Sequence, residues 1–156
     1  MSFATLSNEK LFQLCRMYGA RALEWRKKFI GLLPEVNKRR LFEKKGFSSV
    51  FEFAAKLAGL SEGQVRVALN LEKKFEDKPL LKKLLVHGEV STNKLVRIQS
   101  VATKETQAFW AIQAQLLPHR ALEVLVQDER KKSLQIPDEM QSMNGFQKPL
   151  FEDKSL

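Results

Sequence analysis

Cysteine is almost absent from this sequence, which contains only Cys15. An intrachain disulfide and a cysteine-based metal cluster are therefore both excluded. Histidine is nearly as scarce, with only His87 and His119, and neither has a carboxylate at a metal-ligand spacing. His87 precedes Gly88 at an expected helix end, where an imidazole interacts with the last carbonyl groups. The sequence predicts no metal and no other cofactor.

Long apolar runs are missing as well, since no stretch approaches the length needed to cross a bilayer. The first residues lack the basic and then apolar segments of a secretory signal. Phosphate-binding loops, dinucleotide-binding glycines and nucleophile elbows are also absent. We therefore expect a cytoplasmic protein with no membrane partner and no enzymatic activity.

Positive charge is what the sequence has in excess. Among 156 residues, 27 Lys and Arg stand against 18 Asp and Glu, a formal net charge of +9. An excess of this size favours an anionic partner, with nucleic acid first and an anionic membrane surface second. The alternative is a basic protein that binds no polyanion.

Apolar residues recur every three or four positions through most of the chain, and no stretch alternates as a strand would. The sequence predicts about eight helices, and so an all-α multi-helix bundle without a sheet. We expect basic helices over residues 1–45, a helical domain with a helix-turn-helix over residues 46–128, and a flexible tail over residues 129–156. The tail contains prolines and has no sustained apolar period.

The first long helix is expected to begin at Ser7 or Asn8 and to have one apolar face. That face consists of Leu11, Leu14, Cys15, Tyr18, Ala22, Trp25, Phe29 and Leu32. Cys15 is expected to be a buried thiol within it. Gly31 and Pro34 are expected to end this helix, and Pro34 suits the first turn of a next helix over residues 35–45.

Residues 51–70, FEFAAKLAGLSEGQVRVALN, predict two short helices joined by a tight turn. Ala55 is the small residue expected at the helix crossing, Gly59 suits a left-handed turn, and Val65 is expected to fix the crossing. Ser61 and Gln64 have the spacing of a capping box. This combination is typical of a DNA-binding helix-turn-helix, although ordinary helical corners share it.

The candidate DNA-binding residues lie in these two helices and in the basic segment before them. On the second helix, Gln64, Arg66 and Asn70 are expected to face outward, and these residue types contact base edges. Ser48, Ser49 and Lys56 are assigned to phosphate contacts, aided by the basic segment, and such contacts add affinity without sequence information. The whole set is Ser48, Ser49, Lys56, Ser61, Gln64, Arg66, Asn70, Arg39 and Arg40.

The remaining helices are assigned apolar faces by the same period. We expect the core to include Leu80, Leu81, Leu84, Leu85, Leu95, Val96, Ile98, Val101, Leu122, Leu125 and Val126. The helix after Thr103 has an imperfect stripe of Phe109, Ile112 and Leu116, with Trp110 beside it.

Several short segments together resemble a known family. They are Gly46-Phe47-Ser48-Ser49, Leu60-Ser61-Glu62-Gly63, Leu85 with Gly88-Glu89-Val90-Ser91, Thr103 with Glu105, and Ala121-Leu122-Glu123 with Leu125-Val126. This set, over residues 40–127, resembles the helical region before the nuclease domain of bacterial HNH endonuclease-type proteins. More distantly, the segment is similar to the helix-turn-helix domain of ParB-type partition proteins. Both resemblances imply a helical module that binds duplex DNA.

The resemblance does not extend to catalysis. HNH nucleases use a ββα-metal site with paired histidines and an asparagine, and nothing after Val126 can build one. No motif for a ParB-type nucleotide-binding region precedes residue 46. We therefore expect a non-enzymatic DNA-binding protein, or the N-terminal part of an HNH-type endonuclease whose catalytic domain is missing.

A protein-interaction module is the other function class that the sequence leaves open. Phe109 and Trp110, together with the region around Phe146 and Phe151, could present apolar anchors to a protein partner. The sequence also leaves open whether the chain binds DNA as a homodimer, which would place half-sites roughly 34–36 Å apart.

Overall fold

The computed structural model describes residues 2–143, and the side chains up to residue 135. A short 3-10 helix, Phe3–Thr5, precedes eight α-helices, and this part of the chain contains no strand. The helices are α1 (Asn8–Lys38), α2 (Leu41–Lys44), α3 (Val50–Ala58), α4 (Glu62–Lys74), α5 (Pro79–Val86), α6 (Thr92–Gln99), α7 (Gln107–Leu116) and α8 (His119–Met143). The predicted all-α class is confirmed.

One buried cluster joins helices from both ends of the described chain. It includes Ile30 and Leu33 from α1, Phe75 after α4, Trp110 from α7 and Val126 from α8. The C-terminal part of α1 therefore belongs to the same core as the helices after residue 46. The α3–α4 pair packs against α1, and α4 also packs against α5 and α6.

The predicted break in the first helix is wrong, because α1 continues through Gly31 and Pro34. Gly31 is where α1 crosses the end of α5, and a Cβ there would lie 2.3 Å from the Val86 carbonyl oxygen. Ile30 and Leu33 are buried on either side of this crossing. The packing of this turn outweighs the one backbone hydrogen bond that a proline removes.

The chain turns at Arg40 instead, five residues after the expected start of the second helix. Arg40 has a φ of 50°, in the left-handed region. It comes directly after Arg39, the C-cap of α1, and directly before α2. The helix that the sequence predicts over residues 35–45 is therefore divided. Residues 35–38 are the last turn of α1, and residues 41–44 form the single turn α2.

The turn between α3 and α4 is built as predicted. Gly59 has a φ of 64°, and its N–H donates to the Ala55 carbonyl at 3.0 Å. The Ser61 N–H donates to Gln64 Oε1 at 2.9 Å, and the Gln64 N–H donates to Ser61 Oγ at 3.2 Å, which completes the capping box. Val65 is fully buried.

The small residue in the core at this corner is Ala54, which has no exposed surface, while Ala55 is exposed. The assignment of Ala55 to the helix crossing is therefore wrong by one position. Phe53 is also buried and stacks edge-on against Phe47, with 5.2 Å between ring centroids. The contact between these two rings determines which face of α3 points into the core. The sequence does not show this, because Phe53, Ala54 and Ala55 are consecutive and any of them suits a buried position.

Most of the predicted later core is confirmed, with α7 as the main exception. Leu80 and Val96 are exposed, and the stripe of Phe109, Ile112 and Leu116 faces solvent. Trp110 and Ala114 are the buried residues of α7. Because α7 has apolar residues on two faces, the apolar period alone cannot choose between them.

Helix α8 extends further than the sequence predicts. Residues 129–143 continue the helix instead of forming a flexible segment, and residues 144–156 lie outside the described part of the chain. Arg130 donates from Nη2 to Ser100 Oγ at 2.6 Å, which ties this part of α8 to the end of α6. The apolar period ends before this part of α8, but the residues here, Glu129, Lys131 and Lys132, have high intrinsic helix propensity. This propensity explains why the helix continues.

Candidate nucleic-acid interface

An exposed polar ridge runs along α4. Arg66, Asn70 and Lys73 are exposed and recur at helical spacings of four and three, while Ala68 and Leu71 are buried on the other side. The expected outward direction of Arg66 and Asn70 is therefore confirmed. A helix held on one side and polar on the other is free to present this ridge to a partner.

Arg66 links this ridge to the first turn of α3. Its Nε donates to Glu62 Oε1 at 3.1 Å, and its guanidinium carbon lies 5.0 Å from the centroid of the Phe51 ring. Phe51 follows the N-cap Ser49 by two positions. The N-terminus of α3, with Ser48 and Ser49, therefore lies on the same side of the molecule as Arg66.

The N-terminus of α3 already holds a negative charge, that of Glu52. Its carboxylate accepts hydrogen bonds from the Ser48 N–H at 2.7 Å and the Ser48 hydroxyl at 2.5 Å, and it pairs with Lys56 Nζ at 2.9 Å. The hydroxyl and amide of Ser48 lower the pKa of Glu52 to about 2, with Lys56 as a smaller cause. Glu52 is therefore ionised at neutral pH.

Ser49 and Glu52 have the spacing of a capping box, but only half of it is formed. Ser49 Oγ accepts the Glu52 N–H at 3.1 Å, but the Glu52 carboxylate returns to Ser48 and not to Ser49. Ser48, Ser49 and Lys56, all assigned to phosphate contacts, thus have partners within the chain. A phosphate at this position would compete with the carboxylate of Glu52.

Gln64 and Ser61 are also engaged with each other through the capping box. The amide oxygen of Gln64 accepts the Ser61 N–H, so the amide NH₂ group is the part of Gln64 that faces outward as a donor. Gln64 therefore fixes the start of α4, and its capacity to contact a base is smaller than the sequence suggests.

Arg39 and Arg40 lie at the turn between α1 and α2 and make local contacts. Arg39 Nε donates to Glu35 Oε1 at 2.6 Å, and Arg40 pairs with Glu43. These hydrogen bonds lower the pKa of both carboxyl groups. Within residues 2–143, no hydrogen bond or ion pair joins either arginine to α4, so the structure does not bring them together with Arg66 and Asn70.

A basic cleft that sequence reasoning missed lies beside the start of α4. It has a volume of about 570 Å³ and is enclosed by α1, α4 and α6. Its polar lining consists of Arg26, Lys27, Ser61, Gly63, Gln64, Ser91, Thr92 and Asn93.

Two helix N-termini face this cleft, because Ser61 caps α4 and Ser91 caps α6. The positive ends of two helix dipoles and the cations Arg26 and Lys27 contribute positive charge to the polar side of the cleft, which Leu23, Ile30 and Val67 also line. Both serine caps are predictable from the sequence. Their convergence is not, because it depends on how α6 packs against α4.

Within the described part of the chain, no group of three or more His, Cys, Asp or Glu side chains could hold a metal ion. None of the helices in this part is long and apolar enough to span a membrane. The cleft contributes cations and hydrogen-bond donors, which suit the binding of an anion, whereas Glu52 and Glu62 near the ridge are anionic.

Comparison of the chain with protein-family models, curated proteins and solved structures gives no match. The functional argument therefore rests on the α4 ridge, the basic cleft and the contacts around Glu52.

Proposed function

We propose that this chain binds duplex DNA, with α4 in the major groove. The observation that supports this most is the ridge of Arg66, Asn70 and Lys73 on a helix whose opposite side is buried. The major groove is about 12 Å wide and admits one α-helix. Arg and Asn are the side chains that pair with guanine and adenine edges in that groove.

Arg66 changes partners on binding. In the free chain it pairs with Glu62, which lies four residues earlier on the same exposed face. Exposed pairs of this kind contribute only about 0.3–0.5 kcal/mol. A bidentate contact to a base is worth about 1–3 kcal/mol of discrimination, so the exchange favours DNA.

Phosphates on one side of the ridge are held by the basic cleft. Arg26 and Lys27 supply charge there, and the amides at the starts of α4 and α6 supply donors. On the other side, Lys56 leaves Glu52 to reach a phosphate, and the carboxylate of Glu52 then opposes the DNA. Glu52→Gln is therefore expected to tighten DNA binding, because it removes this repulsion.

The test is a fluorescence-anisotropy titration of random-sequence duplex at two salt concentrations. We expect the affinity of the wild-type chain to fall steeply with salt, because each phosphate contact adds about 0.9 to the logarithmic salt slope. The double variant Arg66→Ala/Asn70→Ala is expected to bind more weakly and with a logarithmic salt slope smaller by about 0.9, because it removes one cation from the helix that meets the DNA.

Arg120→Ala is the matched control, since Arg120 is an exposed arginine on α8. It removes the same charge as Arg66→Ala and is expected to leave the affinity nearly unchanged. No binding at low salt, or equal losses in Arg66→Ala and Arg120→Ala, would contradict the proposed role of α4.

Protein interaction is a second candidate function, favoured by the outer face of α7. Phe109, Ile112 and Leu116 are exposed there at spacings of three and four. Trp110, which the sequence suggested as an anchor, is buried and unable to serve as one. The suggested anchors Phe146 and Phe151 lie outside the described residues. A partner whose binding does not depend on salt and is lost in Phe109→Ser would support this function.

A further inference from the structure

An apolar seam runs along α1 from Leu11 to Leu32. Its residues are separated alternately by four and three positions: Leu11, Cys15, Tyr18, Ala22, Trp25, Phe29 and Leu32. This is the heptad spacing of a helix that pairs with another helix, with Cys15, Ala22 and Phe29 at a and the others at d. The seam is about 32 Å long at the rise of an α-helix.

Most of this seam is uncovered in the described part of the chain. The side chain of Tyr18 is 60% exposed, that of Trp25 66% and that of Leu32 59%. Cys15 is also exposed. The prediction that Cys15 is a buried thiol is therefore wrong. The buried residues of α1 begin only at Ile30. A contiguous row of large, exposed apolar side chains is typical of an interaction surface.

The seam ends in a groove that α1 forms with α3. The groove has a volume of about 800 Å³, and Trp25, Phe29 and Leu32 line it opposite Leu57 of α3. Gly19 and Ala22 also line it, and their small side chains allow close approach of a partner backbone. Phe29 stacks on Phe53 of α3, with 6.3 Å between ring centroids, which holds this end of the seam rigid.

The charges beside the seam identify the kind of helix that fits. At the flanking e and g positions of its centre stand Arg26, Arg21 and Lys28. Glu24 lies outside these positions and pairs with Lys28 at 3.1 Å. The side chains that border the centre of the seam are therefore cationic on both sides.

A second copy of this chain is a poor match for these charges. In a parallel pair, position g of one helix faces position e of the next heptad of the other, so Arg21 would face Arg26 of the second copy. In an antiparallel pair, position g of one helix faces position g of the other. Arg21 would then face Arg21 or Lys28 of the second copy. Like charges at these positions oppose pairing.

We infer that the seam binds an amphipathic α-helix of another protein, with apolar heptad residues flanked on both sides by Asp or Glu. Trp25 is the central anchor of this contact, since a large aromatic residue in a groove contributes most to such interfaces. The seam itself contains none of the candidate DNA-binding residues, although Arg26 borders both the seam and the basic cleft. The seam is therefore tested separately from DNA binding with variants that retain Arg26.

The test uses two synthetic peptides of four heptads with isoleucine at a and leucine at d. One has glutamate at every e and g position, and the other has lysine. Binding is followed by the emission of Trp25, which is exposed, while Trp110 is buried and contributes a constant background. We expect the glutamate peptide to bind at least tenfold more tightly than the lysine peptide and to slow the reaction of Cys15 with a maleimide.

Three variants locate the binding site, with fluorescently labelled peptide as the reporter. Trp25→Ser is expected to weaken binding of the glutamate peptide at least tenfold, and Val124→Ser, a change at a similarly exposed apolar residue on α8, to leave it unchanged. Arg21→Glu with Lys28→Glu is expected to reverse the preference between the two peptides. This pair leaves Arg26 and Lys27 of the basic cleft intact, so DNA binding should persist.

Several results would overturn the inference. One is that neither peptide binds, or that both bind equally well. Another is a dimer of the chain alone in sedimentation equilibrium that Trp25→Ser dissociates, which would assign the seam to a second copy. A third is binding to vesicles containing phosphatidylserine, abolished by Trp25→Ser, without any binding of the glutamate peptide.

Discussion

Two faces of α1 lie on one helix, yet their surroundings are opposite. On the face that packs into the core, Ile30 and Leu33 are buried, and Gly31 touches the backbone at the end of α5. On the seam, Tyr18 and Trp25 face solvent. The comparison shows that an amphipathic period specifies the need for a partner but not whether that partner lies in the same chain.

The largest expected difference between the buried face and the seam of α1 comes from two neighbouring leucines. Leu33 has no exposed surface, whereas Leu32 is 59% exposed. Leu33→Ala is expected to lower the free energy of unfolding by about 2–5 kcal/mol, because it leaves a cavity. Leu32→Ala should change it by no more than about 0.5 kcal/mol. Urea denaturation followed by circular dichroism measures both, and equal effects would mean that the seam is covered within the chain.

Two glycines of α1 should respond in opposite directions. At Gly31 a Cβ would meet backbone atoms of α5, while at Gly19 it would meet nothing within 4 Å. Gly31→Ala is expected to destabilise the chain by about 1–3 kcal/mol through overpacking. Gly19→Ala should stabilise its helix by about 0.5–1 kcal/mol. Thermal unfolding of both proteins gives the signs, and destabilisation by Gly19→Ala would contradict the open surroundings of Gly19.

Serine caps of the two regions provide a smaller contrast. Ser61 is exposed but caps α4, a helix that packs into the core, and Ser7 caps the free end of α1 by accepting the Lys10 N–H at 3.3 Å. Ser61→Ala should reduce the free energy of unfolding by about 0.5–2 kcal/mol. Ser7→Ala should affect only hydrogen exchange near the start of α1, because this end opens without unfolding the core. A global loss of stability in Ser7→Ala would show that the whole of α1 unfolds as one unit with the core.

The smallest expected effect is the acid sensitivity of the α3 N-terminus. The pKa of Glu52 is lowered from 4.5 to about 2 by its hydrogen bonds to Ser48. A lowered pKa in the folded state adds stability above the unfolded value, and this stability is lost as the pH falls. The loss should occur between about pH 4.5 and about pH 2. In Glu52→Gln, the unfolding midpoint should depend less on pH over this window, and an unchanged dependence would rule out this contribution.

Much of the α3–α4 corner is predictable from sequence because its determinants are local. The Gly59 turn and the capping box of Ser61 with Gln64 depend on residues within a few positions of one another. The rotation of α3 is not local, since it depends on how Phe53 meets Phe47. This explains why Gly59 and Ser61 are assigned correctly and Ala55 is not.

The remaining differences have tertiary causes of the same kind. Pro34 lies within a helix because Leu33 and Gly31 are held against α5, which the local sequence does not show. The basic cleft is missed because Ser61 and Ser91 meet only when α6 packs on α4. Cys15 is exposed because the buried residues of α1 begin only at Ile30, so the apolar period continues beyond the packed part of the helix.

The most direct test of the account is a ¹H–¹⁵N correlation spectrum of the full chain during titration with duplex DNA. The account predicts shifts in the backbone amides of Gly63, Arg66 and Asn70 on α4, and none in the amide of Gly19 or the indole of Trp25. Shifts at Gly19 and Trp25 with an unchanged α4 would contradict it. They would mean that the N-terminal half of α1, and not the α4 ridge, is the surface that meets nucleic acid.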